Sequence, residues 1–163
     1  DSPLRYRINR LGGRSQRDKW VLQAELFNEL HRWVRGKWRS IQLAGGSSKE
    51  VPRYYGMVRD FFKAAKSAFG DPLWGNSDYM VTKPVTIKAL IRVCADLARD
   101  DGDADPAGRP ARWEKRLAPW SELAKQFRED GFYERFPAKG EVERVARVHR
   151  DLARAAGIEV KKV

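Results

Sequence analysis

The residue types that most often act as a nucleophile or a proton acceptor are scarce in this chain. It has two histidines and one cysteine, and none of them lies in a metal-binding spacing such as His-Glu-x-x-His or paired Cys-x-x-Cys. On helical wheels, His31 and His149 fall at the edge of apolar arcs, which predicts core-edge packing rather than catalysis. Cys94 lies in mid-helix among apolar residues, which predicts an inert core thiol. The sequence therefore predicts neither a complete catalytic site nor a cofactor.

Two acidic stretches contain residue types that hold metal ions. Four aspartates lie between positions 100 and 105, but a calcium loop of the EF-hand type also needs a carboxylate at its twelfth position. Counting from Asp100 or Asp101 gives Ala111 or Arg112 there, so we expect no calcium site. Glu159 and Lys161 have the Glu-x-Lys spacing of one nuclease superfamily, without a Pro-Asp partner on a preceding strand. This spacing leaves a metal-dependent nuclease as the weakest alternative.

Arginines at helical spacing give the stronger signal. Two predicted helices each carry an arginine ridge, and a basic arm precedes the first; Glu143 lies on the face of the second ridge and dilutes it. Guanidinium groups at this spacing match phosphates along a nucleic-acid backbone and release counterions on binding. The candidate residues are Arg5, Arg7, Arg10, Arg14 and Arg17 in the arm, Asn28, Arg32, Arg35 and Arg39 on the first helix, and Arg147, Arg150 and Arg154 on the last. The alternative is a solvated helix face with intrachain ion pairs.

The positive charge is concentrated at the two ends of the chain. The formal net charge is +11 for 163 residues, and the first forty residues, with ten basic and four acidic side chains, hold +6 of it. Residues 41–105 are balanced, residues 106–138 add +2, and residues 139–163 add +3. An uneven positive field of this kind favours a polyanionic partner, so we expect the chain to bind nucleic acid.

Hydrophobic periodicity predicts a mainly α fold, a compact bundle of about five helices in one domain spanning residues 1–163. A short strand or arm is expected over 3–14, and an edge strand is possible in the tail that begins at 158. The polar, Gly- and Pro-rich stretch 99–110 predicts a flexible surface loop. The predicted helices cover 15–39, 51–69, 84–97, 113–128 and 141–156, the last closed by Gly157.

Composition excludes several protein classes. A single cysteine cannot form an internal disulfide framework or a multi-cysteine zinc site. The apolar runs are shorter than a membrane helix needs, and residues 1–7 lack the apolar region of a signal peptide. We therefore expect a cytoplasmic protein without a membrane partner.

Several stretches resemble the C-terminal half of the DGQHR-domain family, bacterial proteins associated with DNA modification and defence islands. The resemblance is carried by DSPLRYRIN at 1–9, YYGMVRDFFKAAKSAFGDPLW at 54–74, MVTKPVTIKALIRVCADL at 80–97 and FPAKGEVERVARVHRDL at 136–152. The Asp-Gly-Gln-His-Arg motif that names the family is not in this sequence, so its motif residues have no counterpart here. The resemblance implies a C-terminal portion of a larger architecture that associates with DNA, including modification-linked transcriptional control.

Three functional hypotheses follow from these patterns. The first is a DNA-binding module of a modification or defence system that is non-catalytic by itself. The second is a helical interaction or assembly module, with a protein partner or a second copy docked on a partly exposed tryptophan-rich arc. The third is the metal-dependent nuclease. Most of the six tryptophans lie on apolar arcs, which favours core packing over base stacking.

Overall fold

The computed structural model describes residues 2–4, 8–9, 21–35 and 50–160. Within them, seven α-helices and one pair of two-residue parallel strands confirm the prediction of a mainly α bundle. The elements are β1 (Ile8–Asn9), β2 (Val21–Leu22), α1 (Gln23–Val34), α2 (Glu50–Phe69), α3 (Pro84–Asp101), α4 (Arg109–Leu117), α5 (Trp120–Leu123), α6 (Phe132–Arg135) and α7 (Glu141–Ala155). Short 3-10 turns cover Pro106–Gly108 and Ala124–Phe127.

The central element of the bundle is α3, which packs against α7, α1 and α2. Pro84 is its first residue, where a missing backbone N–H costs nothing. The predicted apolar face is buried as expected, with side chains of Ile87, Leu90, Ile91, Cys94 and Leu97. In the parts of the chain described, no helix is both long enough and apolar enough to cross a lipid bilayer.

Aromatic side chains fill the core between α2, α4 and α5. Phe61 makes edge-to-face contacts with Trp113 and Trp120, at centroid distances of 6.4 and 6.1 Å. The indole Nε1 of Trp120 donates a hydrogen bond to the carbonyl oxygen of Leu152 at 2.9 Å and so ties α5 to α7. The prediction of core packing is confirmed for these two tryptophans, whereas Trp20 and Trp38 lie outside the described residues.

The first helix begins later than predicted. Positions 21–22 form β2 beside Ile8 and Asn9, and the helix starts only at Gln23; positions 15–20 and 36–39 lie outside the described residues. The predicted N-terminal strand is confirmed over Ile8–Asn9 alone within the described part of 3–14. Phe27, which the wheel places on the apolar arc, is 51% exposed.

The prediction of a flexible loop over 99–110 was wrong at both ends, because α3 runs to Asp101 and α4 starts at Arg109. Between them, Asp105 accepts a hydrogen bond from the backbone N–H of Ala107 at 3.1 Å and caps a 3-10 turn. Arg112 on α4 makes a bidentate ion pair with Asp101, at 2.7 and 2.9 Å. Asp101 is therefore a partner of the next helix, and Asp105 is a cap of the turn before it.

The possible edge strand in the tail is not formed over residues 158–160, and positions 161–163 lie outside the described residues. Gly157 has a φ of +63°, the left-handed conformation that ends a helix, and Ile158 donates its N–H back to Ala153 at 2.8 Å. Arg116 and Arg99 then donate to carbonyl oxygens at 156, 157 and 159. Of these acceptors, only the carbonyl of Glu159 lies within the predicted strand, and Arg99 occupies it.

The interface of α7 with the core determines the stability of the bundle. We expect Leu152→Ala to lower the free energy of unfolding by about 2–5 kcal/mol, because the side chain is fully buried and leaves a cavity. Val142→Ala, on the same helix but 79% exposed, serves as the control and should change it by less than about 0.5 kcal/mol. Urea unfolding followed by circular dichroism measures both; equal losses in the two variants would contradict the packing described.

Candidate nucleic-acid interface

A groove of 1270 Å³ lies over α3, between α1 on one side and α7 with residues 157–160 on the other. Its lining is rich in charge. Five arginines contribute to it, together with His149, three acidic residues and a few apolar ones. The charged lining residues are Arg32 and Glu29 from α1, Arg92, Asp96 and Arg99 from α3, Arg150 and Arg154 from α7, and Glu159 from the tail.

The helical period explains why α7 presents these residues to the groove. Val145, Val148 and Leu152 are buried, at a spacing of three and four residues, and fix one face of α7 in the core. His149 follows Val148 by one position and lies on the neighbouring flank, whereas Arg150 and Arg154, two and six positions after Val148, lie on the side of α7 that faces away from the core. The packing of the apolar face thus places His149 beside α3 and leaves Arg150 and Arg154 at the exposed edge of the groove.

The two predicted ridges meet in this groove. Arg32 from the first ridge and Arg150 and Arg154 from the second line its opposite walls. Arg147 does not take part, because it lies outside the lining and pairs with Glu143 at 3.0 Å, the dilution that the sequence predicted. Asn28 on α1 and Arg35 just after it are exposed but do not line the groove. The remaining candidates lie outside the described residues: Arg5, Arg7, Arg10, Arg14, Arg17 and Arg39.

Sequence reasoning missed the floor of the groove, which comes from α3. Arg92, Asp96 and Arg99 lie four and then three residues apart, so they share one face of that helix. This spacing is visible in the sequence as a polar face of α3. The apolar residues on the other faces of the helix are more numerous and predict only that the helix is buried. The floor adds two arginines to those of the walls.

Ion pairs neutralise part of this positive charge. Glu29 is buried, with a side-chain exposure of 8%, and pairs with Arg32 at 3.2 Å and with Arg92 at 3.4 Å. Because a buried carboxylate needs such partners, this pair of contacts joins α1 to α3. Arg32 and Arg92 are therefore partly occupied by the protein itself.

Asp96 is the second internal acceptor. It accepts from Arg99 at 2.7 Å and from the Nε2 atom of His149 at 2.6 Å. Burial alone would raise the pKa of Asp96, but the hydrogen bonds and charges of His149 and Arg99 outweigh it and hold the pKa below the ordinary value. Asp96 is therefore ionised at neutral pH, and His149 is fixed at the edge of the core, as its predicted core-edge position requires.

Two arginines on the α7 wall remain available to a ligand. Among the described residues, Arg150 has no hydrogen bond or ion pair. Arg154 has a side-chain exposure of 82%, and its only ion pair there is a distant one with Asp151 at 3.9 Å. Exposed pairs of this length contribute little, so both guanidinium groups can exchange water for a phosphate.

Of the other candidate groups, Cys94 and His31 lie away from the groove, whereas Glu159 lines it. Burial raises the pKa of the Cys94 thiol well above its ordinary value, which confirms the prediction of an inert core thiol. His31 stacks on Phe27 at 5.7 Å. No group of three potential metal ligands occurs in the described ranges. The strand on which the Glu159 and Lys161 hypothesis depends is not formed at residues 158–160.

No protein-family model, no curated protein and no solved structure matches this chain. The resemblance to the DGQHR-domain family therefore stays a prediction. Any functional argument rests on the groove.

The dependence of the free energy of unfolding on pH, at acidic pH, tests the role of Asp96. Because its folded-state pKa is lowered, its ion pairs stabilise the fold above the ordinary aspartate pKa of 3.8, and this contribution is lost as the pH falls through the folded-state pKa. We expect Asp96→Asn to lower the free energy of unfolding at pH 7 by about 1 kcal/mol or more. The difference from wild type should shrink as the pH is lowered below about 4.

Urea unfolding at a series of pH values measures this difference. Asp103→Asn is the matched control, because Asp103 is exposed and has no ion pair among the described residues. A constant difference between wild type and Asp96→Asn at every pH would show that the ion pairs of Asp96 do not stabilise the fold.

Proposed function

We propose that the chain is a nucleic-acid-binding module and that the groove over α3 holds the phosphate backbone, DNA being the partner that the sequence resemblance implies. The observation that carries this proposal is that Arg32 from the first ridge and Arg150 and Arg154 from the second lie on opposite walls of one groove. The ridges are more than a hundred residues apart in sequence, so their meeting adds support that neither ridge gives alone.

The charge balance of the groove favours an anionic ligand. Its five arginines exceed its three carboxylates, and the two internal acceptors Glu29 and Asp96 are already paired with protein groups. The excess therefore resides on the α7 wall, where Arg150 and Arg154 are open to solvent. Guanidinium groups that face a groove bind phosphate oxygens by charge-assisted hydrogen bonds.

Trp33 adds a second feature that suits a nucleic acid. Its indole lines the groove beside Arg32 and is half-buried. The edge-to-face contact with Tyr54, at a centroid distance of 5.3 Å, restrains the ring. An aromatic ring held next to a phosphate-binding wall offers a surface on which an unpaired base stacks. This arrangement favours a ligand with unpaired bases near the phosphate contacts.

The interaction-module alternative has less support. Its premise is a partly exposed tryptophan-rich arc on the first helix, of which Trp33 is half-buried and Trp20 and Trp38 lie outside the described residues. The exposed large apolar side chains of the described residues are spread over four helices, with only Val51 and Tyr55 one turn apart on α2; the others are Phe27, Tyr133 and Val142. Scattered apolar residues of this kind are ordinary on protein surfaces.

Salt dependence is the first test. We expect affinity for a labelled oligonucleotide, measured by fluorescence anisotropy, to fall steeply between about 50 and 200 mM salt, because each phosphate contact releases a counterion. Duplex DNA, single-stranded DNA and RNA of one sequence are compared in parallel. Absence of binding to all three would overturn the proposal.

A charge-reversal pair locates the binding surface. Arg150→Glu with Arg154→Glu should weaken binding at low salt by at least about tenfold and reduce the salt slope for duplex DNA by about 2, since about 0.9 is lost per contact. Lys115→Glu with Lys125→Glu gives the same change in net charge on exposed residues outside the groove. If both double variants lose affinity equally, the field of the whole protein rather than this groove is responsible.

A further inference from the structure

His149 has a geometry that phosphate binding alone does not need. Its Nε2 atom is 2.6 Å from Asp96 Oδ2, and its side chain is only 13% exposed. The Nδ1 atom has no hydrogen bond within the described residues, and it is not one of their buried unpartnered polar atoms. His149 lines the groove, and its Nδ1 atom is the ring nitrogen left for a ligand.

The partner of Nε2 determines what Nδ1 can do. An ionised carboxylate only accepts hydrogen bonds, so Asp96 keeps a proton on Nε2 and leaves the lone pair of neutral His149 on Nδ1. Asp96 is itself fixed by Arg99 at 2.7 Å, which restrains the ring. An imidazole oriented by a carboxylate, with its free nitrogen facing a cleft, is the arrangement of a general base.

The groove offers no nucleophile to go with this base. Its lining from the described residues contains no serine, threonine, tyrosine or cysteine. The nucleophile is then either water or a group of the ligand, and among nucleic acids only RNA carries one next to each phosphate, the 2′-hydroxyl, which an oriented base deprotonates without a metal ion.

We propose that this groove cleaves RNA, with His149 Nδ1 accepting the proton of the substrate's 2′-hydroxyl. The inference rests on the proposed nucleic-acid function of the same groove and names RNA as the substrate, in place of the DNA that the sequence resemblance implies. It assigns a reaction to a chain whose sequence predicts none.

The step balances without a co-reactant. As Nδ1 takes the proton, the 2′-oxygen bonds to the adjacent phosphorus and the bond from phosphorus to the 5′-oxygen breaks. The leaving 5′-oxygen takes a proton from water, and His149 later returns its proton to solvent. The products are a 2′,3′-cyclic phosphate and a 5′-hydroxyl end.

The surrounding side chains have separate roles in this reaction. Arg150 and Arg154 hold the phosphate and stabilise the negative charge that grows on its oxygens. Asp96 is a positioning residue, because it acts only through the ring of His149. Trp33, across the groove, offers a stacking surface to a neighbouring base.

The test uses the full chain with EDTA present and three labelled probes of one sequence: RNA, 2′-O-methyl RNA and DNA. We expect only the RNA to be cut, although the 2′-O-methyl RNA also binds, because its 2′-oxygen has no proton to lose. Mass spectrometry should find cyclic phosphate and 5′-hydroxyl ends. Cutting of 2′-O-methyl RNA or DNA at a comparable rate would overturn the mechanism, as would loss of RNA cleavage in EDTA.

Variants prepared in parallel assign the activity to the groove. His149→Gln retains a group that can hydrogen-bond to Asp96 but cannot accept a proton, so cleavage should fall by at least about 100-fold with RNA affinity unchanged. Asp96→Asn should lower kcat by about tenfold or more and leave KM unchanged. His31→Gln, which changes the other histidine outside the groove, should cleave as wild type does. Unchanged cleavage in His149→Gln, or equal loss in His31→Gln, would overturn the assignment.

The two proposals can fail separately. If RNA binds in a way that Arg150→Glu with Arg154→Glu abolishes, yet stays intact, the cleavage proposal is wrong and the binding proposal stands. If no oligonucleotide binds, both are wrong.

Discussion

One polar stripe along α3 determines how the other elements are arranged. That helix is buried on its remaining faces, so Lys88, Arg92, Asp96 and Arg99 must find partners in the gap beside it. Lys88 pairs with Glu25 on α1 and with Glu141 on α7, at 2.9 and 2.7 Å. The other three bind Glu29 on α1, His149 on α7 and the tail backbone. The stripe therefore links three flanking elements to one helix.

This constraint separates the groove into a floor and a wall with different properties. The floor is internally compensated, because its arginines and its acceptors Glu29 and Asp96 satisfy one another. The α7 wall is not, since Arg150 and Arg154 extend into solvent. Substitutions on the floor thus act on folding as well as on any ligand, whereas substitutions on the wall act chiefly on the ligand. The unneutralised charge that a phosphate would meet belongs to α7.

Local patterns in the sequence predicted the helices but not their mutual rotation. The burial of Ile87, Leu90 and Leu97 follows from a helical period, and so does the exposure of Arg32 and Arg150. That Arg32 and Arg150 share one groove depends on how α1 and α7 turn about α3, which contacts distant in sequence decide. The prediction of a loop over 99–110 has the same cause. Local composition does not show that Asp101 forms an ion pair with Arg112, eleven residues later in the chain. The predicted tail strand is absent at residues 158–160. There, Arg99 donates a hydrogen bond to the carbonyl oxygen of Glu159, and Arg116 donates one to that of Ala156, just before the tail.

The helical phase of α7 gives His149 its unusual position. One residue earlier, Val148 is fully buried; one residue later, Arg150 is exposed. A side chain between these two contacts α3 and also lines the groove, and the two nitrogens of an imidazole point in different directions. A leucine at this position would pack against α3 but leave Asp96 with Arg99 as its one remaining partner, and a lysine would add charge without a free lone pair. A histidine hydrogen-bonds to Asp96 on the floor of the groove through Nε2 and, in the proposed reaction, accepts a proton on Nδ1. The same side chain thus contributes to the fold and to the proposed chemistry.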